Sequence, residues 1–273
     1  EVQPGGSAAQ VACKITLPPD VPLGIGGLIV GSPTGASGVL LLAVDDLPSV
    51  VDNGKNHDQS QAQPLDWPVA VDGLTDGSQA DLYRVEGRAG QRLAAEVYAG
   101  RLDSTADPVI RLLNAQGNEL RMSDDEPGLG ADGRFEFTFP ADGAYFLQVH
   151  DNKYQAGGFY RLRVGDFPLI NTPYPLGARR GSTVRFGFAK ATPAETEPAL
   201  VHIPEDAAGD WGLAARYPGG ASSAIARLVL SDVPECVERE PNDQSGSASS
   251  LVIPAAANGR LETWVQHVSE RLV

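Results

Sequence analysis

Arg134-Phe-Glu-Phe-Thr-Phe139 alternates polar and apolar residues without a break. Successive side chains of an extended chain point to opposite faces, so Phe135, Phe137 and Phe139 share one face. The same pattern spreads outward. Beyond the turn signal Ala141-Asp-Gly143, Tyr145, Leu147 and Val149 alternate, and beyond the Gly157-Gly158 break so do Tyr160, Leu162 and Val164. Upstream, Leu93, Ala95 and Val97 alternate behind Ala89-Gly90, and Tyr83 and Val85 behind Asp81. Val109-Ile110 and Leu112-Leu113 form a denser apolar stretch closed by Asn114-Ala-Gln-Gly117. Six or seven short strands at roughly ten-residue spacing predict a β-sandwich over residues 63–166. No long stretch carries helical periodicity, so the fold class is all-β.

The chain of 273 residues is long enough for two domains, and 42% hydrophobic residues suffice for a buried core. Its 31 glycines and 21 prolines lie well above the usual combined share of roughly 12%, in keeping with many turns. Lysine and arginine total 21 against 35 acids, a net charge of −14. Such a chain repels nucleic-acid phosphates and anionic membranes, and suits a secreted, periplasmic or cell-surface protein with a cation as partner. The longest apolar run, Val39-Leu-Leu-Leu-Ala-Val44, falls far short of the roughly 20 residues of a membrane helix and reads as a buried strand. No signal peptide opens the sequence, which reads as a mature form or a fragment. Cys13 and Cys236 are far apart in sequence, and spacing alone leaves open whether they pair.

The chain also repeats itself. Pro48 matches Pro234, an offset of 234 − 48 = 186, and the offset holds without a gap over some sixty positions. Pro18 meets Pro204, Ser37 meets Ser223, Asp46 meets Asp232, Asn56 meets Asn242, Leu65 meets Leu251, Pro68 meets Pro254 and Gly73 meets Gly259. Prolines and glycines at fixed offset mean recurring turns, because these residues fix special backbone angles. The repeat predicts four units: 1–47, part of an immunoglobulin-like unit; 48–167, the central sandwich; 168–233, a full immunoglobulin-like unit; and 234–273, the opening of a second sandwich. Both ends then fall inside a unit, which predicts a longer array, or completion of the partial units by strand addition from another chain.

Asp81-Leu-Tyr83, Ala89-Gly90, Asp107-Pro108, Gly117-Asn-Glu-Leu120, Asp124-Asp125, Asp132 and Gly143-Ala-Tyr145 occur in the order seen in bacterial pre-peptidase C-terminal domains. The central hundred residues resemble that family. The resemblance implies a secreted, non-catalytic β-sandwich module, often attached to extracellular proteases, that often binds calcium and sometimes a matrix polymer.

Glu238-Arg-Glu-Pro-Asn-Asp243 is the most informative short motif. Glu238 and Glu240 point the same way from an extended segment, and Asn242 and Asp243 add two more oxygen-bearing side chains. Calcium takes six to eight oxygens, so Glu238, Glu240, Asn242 and Asp243 form a candidate site; the plainer alternative is an acidic, solvated linker. The segment resembles the Glu-x-Glu-x-Asn-Asp calcium segment preceding collagen-binding modules of the same family. In the first copy the same positions are Asp52, Gly54, Asn56 and His57, with two oxygen ligands lost. The resemblance implies completion by later aspartates: the first copy keeps Asp76 and Asp81, whereas the second has Glu262 and His267. Asp107, Asp124, Asp125 and Asp132 make a second acidic set that invites a cation or reads as plain turns.

Catalytic signatures are missing: there is no Gly-x-Ser-x-Gly elbow, His-Glu-x-x-His or Cys-x-x-Cys. Gly24-Ile-Gly26-Gly27 opens no helix and so cradles no phosphate. His150-Asp151 reads as a surface pair at a strand end. Trp67, Tyr98, Tyr154, Phe159, Trp211 and Tyr217 are candidates for a binding face, or fill cores and strap the domain junctions. The expectation is a non-enzymatic modular protein: a spacer or assembly subunit partnered by neighbouring units, an extracellular polymer- or protein-binding module, or the accessory region of a secreted protease.

Overall fold

The computed structural model describes residues 13–18, 21, 23–127, 129–169, 172–188, 199–207, 211–216, 222–242 and 244–260. These are almost entirely strand and loop. The early hairpin contains β1 (Gly24–Leu28), the short pair β2 (Gly31–Ser32) and β3 (Gly35–Ala36), and β4 (Leu40–Val44). Then follow β5 (Ser49–Val51), β6 (Gln63–Pro64), β7 (Val69–Leu74), β8 (Asp81–Gly87) and β9 (Arg92–Tyr98). After a single 3-10 turn at Gly100–Leu102 come β10 (Pro108–Asn114), β11 (Glu119–Ser123), β12 (Arg134–Thr138), β13 (Gly143–Asp151) and β14 (Phe159–Gly165).

Strands β5 to β14 form two five-stranded sheets, ordered β11-β10-β13-β8-β6 and β12-β9-β14-β7-β5. The alternation in sequence becomes rows across each sheet. Leu147 sits opposite Leu112 on one side and Tyr83 on the other. Leu162 sits opposite Val71 and Val97 in the facing sheet. These rows meet in one core with Leu93, Phe135, Phe139, Tyr145 and Val164. Phe139 is wholly buried, 4.5 Å from the Tyr145 ring, while Phe137 is half-buried at the core's rim. Gly87 faces the Phe139 ring so closely that a Cβ there would lie 2.6 Å from it, so no larger residue fits. The denser Val109–Leu113 stretch is covered on both faces: Ile110 and Leu112 join the core, and Leu113 joins Leu82 and Phe146 in a smaller cluster beneath Ala62.

The later part contains β15 (Pro173–Tyr174), β16 (Gly177–Arg179), β17 (Thr183–Phe188), β18 (Ala199–His202), β19 (Trp211–Arg216) and β20 (Ser222–Ser231), then β21 (Glu235–Val237) and β22 (Ala256–Asn258). Two three-stranded sheets, β15-β17-β18 and β16-β20-β19, enclose a core of Ala178, Phe186, Phe188, Ile203, Leu213 and Leu228.

The 186-residue offset recurs in the hydrogen bonding. β5 runs parallel to β7 with Ser49 opposite Ala70, and β21 runs parallel to β22 with Glu235 opposite Ala256. Ala70 N–H donates to Pro48 O and Asp52 N–H to Asp72 O; Ala256 N–H donates to Pro234 O and Glu238 N–H to Asn258 O. The hairpins differ by one residue. Ile25 faces Ala43, whereas Trp211, its offset partner, faces Leu228 rather than Val229. Opposed residues share a face, so Ile25 and Trp211 point to opposite sides of their hairpins.

Removing the Phe139 ring leaves a void between the sheets that Tyr145 cannot fill. Phe139→Ala is expected to cost about 3–5 kcal/mol in urea unfolding, and Phe137→Ala distinctly less, because its ring is already half in solvent. Equal losses for the two would contradict this packing.

Candidate functional site

Strands β7, β9 and β14 present a second set of residues on the face away from the core. The period of two that buries Leu162 and Val164 turns Arg161 and Arg163 outward, beside Glu96 and Tyr98 of β9 and Asp72 of β7. This face is not solvated. Glu96 and Tyr98 are 0% exposed and Arg163 is 1% exposed, because the β1–β4 hairpin and β20 lie over them. Asp45, just past β4, accepts from Arg163 Nε at 2.9 Å and Nη2 at 3.2 Å. Arg163 also pairs with Glu96 at 3.4 Å. Glu96 in turn accepts from Arg101 at 2.9 Å, and Arg101 Nε donates to Asp132 at 2.6 Å. Arg161 bridges Asp72 at 2.8 Å and Ser49 at 2.9 Å.

Tyr98 ties in the later unit: its hydroxyl donates to Glu96 Oε2 and accepts from Ile225 N–H of β20 at 3.0 Å. Burial and then the Glu96 carboxylate push this phenol up to about 12, so it keeps its proton. Arg101 lies over the Tyr98 ring at 3.7 Å, and Arg163 over Phe167 at 4.5 Å. Burial alone would lower Arg163, but Tyr98, Asp45 and Glu96 more than offset it and hold it charged.

A second cluster forms at the end of the sandwich where β8 begins. The first-copy motif residues Asp52 and His57 meet Asp76 and Asp81 here, joined by the hydroxyls of Tyr83 and Tyr160, whose rings lie in the core. His57 Nε2 lies 3.6 Å from Asp76 Oδ2, and His57 Nδ1 lies 3.7 Å from Asp81 Oδ1 and 3.4 Å from Ala80 O. Asp52 Oδ1 is 3.0 Å from the Tyr83 hydroxyl, which is 2.6 Å from the Tyr160 hydroxyl, which is 2.6 Å from Asp81 Oδ2. Three oxygen–oxygen contacts in a row need three protons, and the two phenols bring two. A third is available when the Asp81 carboxyl is protonated; when it is ionised, Tyr160 donates to it. Burial, the largest influence on Asp81, pushes it up to about 6, against the pull of Tyr160.

This first-copy arrangement does not fit calcium. An imidazole stands between the two carboxylates, with its two nitrogens facing different oxygens, and a hard cation prefers an all-oxygen shell. Asn56 is fully buried; its Nδ2 donates to Leu82 O, and its Oδ1 has no hydrogen-bond partner among the described residues.

In the second copy, Glu238, Glu240 and Asn242 come together in one turn, while Asp243 lies outside the described residues, as do Glu262 and His267. Glu238 Oε2 accepts from Asn242 Nδ2 at 3.1 Å, and its Oε1 accepts the Arg260 N–H. Glu240 Oε2 accepts from Asn242 N–H at 2.8 Å. The Arg260 N–H first, and Asn242 second, hold the Glu238 carboxyl below the usual range. The donor set is carboxylate and amide throughout, which fits a hard cation once the Asn242 amide turns its oxygen inward.

Of the second acidic set, Asp107, Asp124 and Asp125 bring oxygens within 4.8 Å of one another, and Lys153 Nζ neutralises Asp107 at 3.0 Å. Asp132 is directed elsewhere. It is wholly buried and accepts the N–H groups of Ala99 and Gly100, both at 2.8 Å, as well as Arg101. His150 is buried rather than on the surface, its ring 5.7 Å from Tyr154, because β13 runs on through Asp151. Cys13 and Cys236 are both free. Tyr98 straps the junction, Trp67 packs on Phe139 at 6.3 Å, Tyr154 is exposed, and Tyr217 lies outside the described residues.

An all-β modular protein is thus defined, with a two-sheet sandwich at its centre. That sandwich resembles bacterial pre-peptidase C-terminal domains: residues 79–151 match the family model of the bacterial pre-peptidase C-terminal domain. Among solved structures, the chain is similar to the pre-peptidase C-terminal domain of a collagenase from Bacillus anthracis, at 18% identity and a TM-score of 0.31, covering 38% of this chain and 93% of that one. It is also similar to Aeromonas hydrophila PliG, a periplasmic inhibitor of g-type lysozyme, at 14% identity and a TM-score of 0.31, covering 43% of this chain and 97% of that one. Comparison with curated proteins finds no match. No described helix is long and apolar enough to cross a membrane.

The raised Asp81 carboxyl makes a pH prediction. The folded state binds this proton more tightly than the unfolded chain, whose aspartates titrate near 3.9. Stability from this group is therefore full below about pH 4 and is lost as pH rises through about 6. Asp81→Asn, which keeps a donor at all pH values, is expected to remove that decline in a series of urea titrations between pH 4 and 7. A decline that survives in the variant would place its origin elsewhere.

Proposed function

We propose that this chain is a non-catalytic spacer or assembly subunit of a secreted or surface-displayed protein, with its units held at fixed mutual angles. The observation that supports this is the buried Asp45–Arg163–Glu96 junction, extended through Tyr98 to β20. A tether between independently moving modules gains nothing from burying charges, because each buried ion loses its hydration and is repaid only in one geometry. Charges sealed between consecutive units fix that geometry instead. The family match at 79–151 supports the same reading and also favours attachment to a secreted peptidase as an accessory region. Neighbouring units of an array are the natural partners. A chain of net charge −14 suits neither nucleic acid nor an anionic membrane as a partner.

Asp45→Ala removes the two-point contact between the hairpin and Arg163 and frees the hairpin. Amide exchange in Gly24–Val44 is expected to quicken by at least tenfold, while β9, β13 and β14 keep their protection, and small-angle scattering should show a larger maximum dimension. Unchanged exchange in the hairpin would remove the rigid-junction reading.

We further infer that the Glu238–Asp243 segment is a calcium site and that the first-copy cluster is not. The all-oxygen chemistry of the former and the His57 ring within the latter support this division. Calorimetric titration with calcium is expected to give saturable heat that Glu240→Ala abolishes and His57→Ala leaves in place. Heat that vanishes with His57→Ala would reverse the assignment.

A further inference from the structure

Asparagine followed by glycine occurs twice in the chain, at Asn53-Gly54 and at Asn258-Gly259. In such a pair the glycine nitrogen can close on the asparagine side-chain carbonyl, because no side chain on the glycine hinders the ring. The fold holds the two pairs in opposite ways. Asn258 is 4% exposed. Its Oδ1 accepts the N–H groups of Leu176 and Gly177 at 2.9 and 3.2 Å, and its Nδ2 donates to Glu235 at 2.8 Å and to Cys236 O at 3.3 Å. A Cβ on Gly259 would lie 2.9 Å from the Glu238 carboxylate, so the glycine is packed as well. The Asn258 side chain is spent on these partners and does not turn toward Gly259.

Asn53 and Gly54 are both exposed. Gly54 takes a φ of +62°, and nothing lies within 4 Å of the place a Cβ would take. Both reacting groups have partners of the kind the reaction needs. Gly54 N–H donates to Asp52 Oδ2 at 3.0 Å, within the reach of a general base. Lys55 N–H donates to Asn53 Oδ1 at 2.8 Å. That bond bends the side chain forward over the Asn53–Gly54 peptide and aims a donor at the oxygen that turns negative. The chain on either side is anchored. Asn53 N–H donates to Gln63 Oε1 at 2.8 Å, and Gln63 Nε2 to Val51 O at 3.1 Å. Leu82 N–H donates to Asn56 O at 2.7 Å. Asp52 is itself steadied through its other oxygen, which accepts from the Tyr83 hydroxyl at 3.0 Å.

We infer that Asn53 is a self-modification site: the folded chain converts it to an aspartyl or isoaspartyl residue, with Asp52 as the base and Lys55 N–H as the oxyanion donor. The Gly54 nitrogen bonds to Asn53 Cγ while its proton passes to Asp52 Oδ2. The Cγ–Nδ2 bond then breaks, and the nitrogen leaves as ammonia, carrying that proton with it. Water opens the remaining cyclic imide at either carbonyl. Opening at Cγ gives an aspartyl residue. Opening at the main-chain carbonyl routes the backbone through the side chain and adds one carbon to it. Only solvent water is consumed. Either product sets a new carboxylate beside Asp52, and the isoaspartyl form lengthens the backbone between β5 and the Asn56 anchor.

The test incubates the full chain of 273 residues beside a synthetic peptide, Val51 to His57, at several pH values around neutrality. Peptide mapping follows each asparagine by the mass gain of deamidation. Asn53 is expected to convert at least tenfold faster in the folded chain than in the peptide, with Asn258 unchanged. The peptide must give its Gly54 proton to hydroxide, so its rate climbs with pH. The folded chain, with Asp52 to take the proton, is expected to change little over the same range. Asp52→Asn keeps an oxygen for the Tyr83 hydroxyl but cannot take the proton, and is expected to slow Asn53 at least tenfold and to restore the climb with pH. Conversion no faster than in the peptide, one pH dependence for both, Asn258 converting alongside Asn53, or a variant as fast as the parent would each overturn the inference. The peptide comparison needs no variant, so it decides even where Asp52→Asn disturbs the fold.

Discussion

Arg163 is the side chain on which the arrangement of this molecule depends. It sits in β14, the middle strand of one of the sandwich's two sheets, yet its guanidinium serves two carboxylates outside that sandwich's core. Asp45 approaches from the preceding hairpin and Glu96 from the neighbouring strand. An arginine is suited to the task because its planar fork meets Asp45 through two parallel donors and stays charged when buried. Once Asp45 is held, the hairpin it ends must lie across β9 and β14. Once the hairpin lies there, Tyr98 is sealed and its hydroxyl has one remaining direction in which to accept, toward Ile225. The core of the sandwich could form without this chain of contacts; the placement of the units on either side could not.

A buried ion network of this kind is weak evidence for stability and better evidence for geometry. Replacing such a network by apolar residues of equal volume is often neutral or stabilising, whereas removing one partner strands the others. What the charges add is selectivity among docking angles. Leu41, Ala43, Ile25 and Ala214 would pack against Tyr98 and Leu102 at several angles, as apolar surfaces generally do. Only one places Asp45 in the fork of Arg163 while Glu96 holds Arg101 and Arg101 holds Asp132.

The sandwich core was legible in the sequence because one physical rule governs it. Every residue of the alternating runs from Tyr83 to Val164 that period two assigns inward lies in or at the rim of the core. Strands β5 and β6 were not legible. Each is three residues or fewer and pairs in parallel, Ser49 with Ala70 and Gln63 with Tyr83, so no hairpin turn marks it. The junction was illegible for a different reason. Tyr160-Arg-Leu-Arg-Val164 reads the same whether its arginines meet water or a buried aspartate. Local pattern fixes which face a residue takes, and only the tertiary fold decides what covers that face. The cluster at Asp81 lies between these cases: Asp52, His57, Asp76 and Asp81 were recognisable by motif position, whereas Tyr83 and Tyr160 were counted as core residues, which their rings are, and their hydroxyls were overlooked.

The two copies show how a repeat diverges at a junction while its backbone holds. The parallel pairing of β5 with β7 and of β21 with β22 agrees residue for residue, down to the hydrogen bonds that flank it. The side chains at those positions do not agree. Asp72, which binds Arg161, corresponds to Asn258, which instead accepts the backbone of Leu176 and Gly177 and donates to Glu235 at 2.8 Å. Asp45, the anchor of the first junction, corresponds to Ser231, whose hydroxyl donates to Glu235 at 2.6 Å. A charge-paired junction has thus become one built on an amide and a hydroxyl, with the same strands beneath. Backbone pairing depends on register alone and tolerates such exchange. The docking of one unit on the next depends on which side chains face each other, so each junction in an array of this kind can carry its own angle.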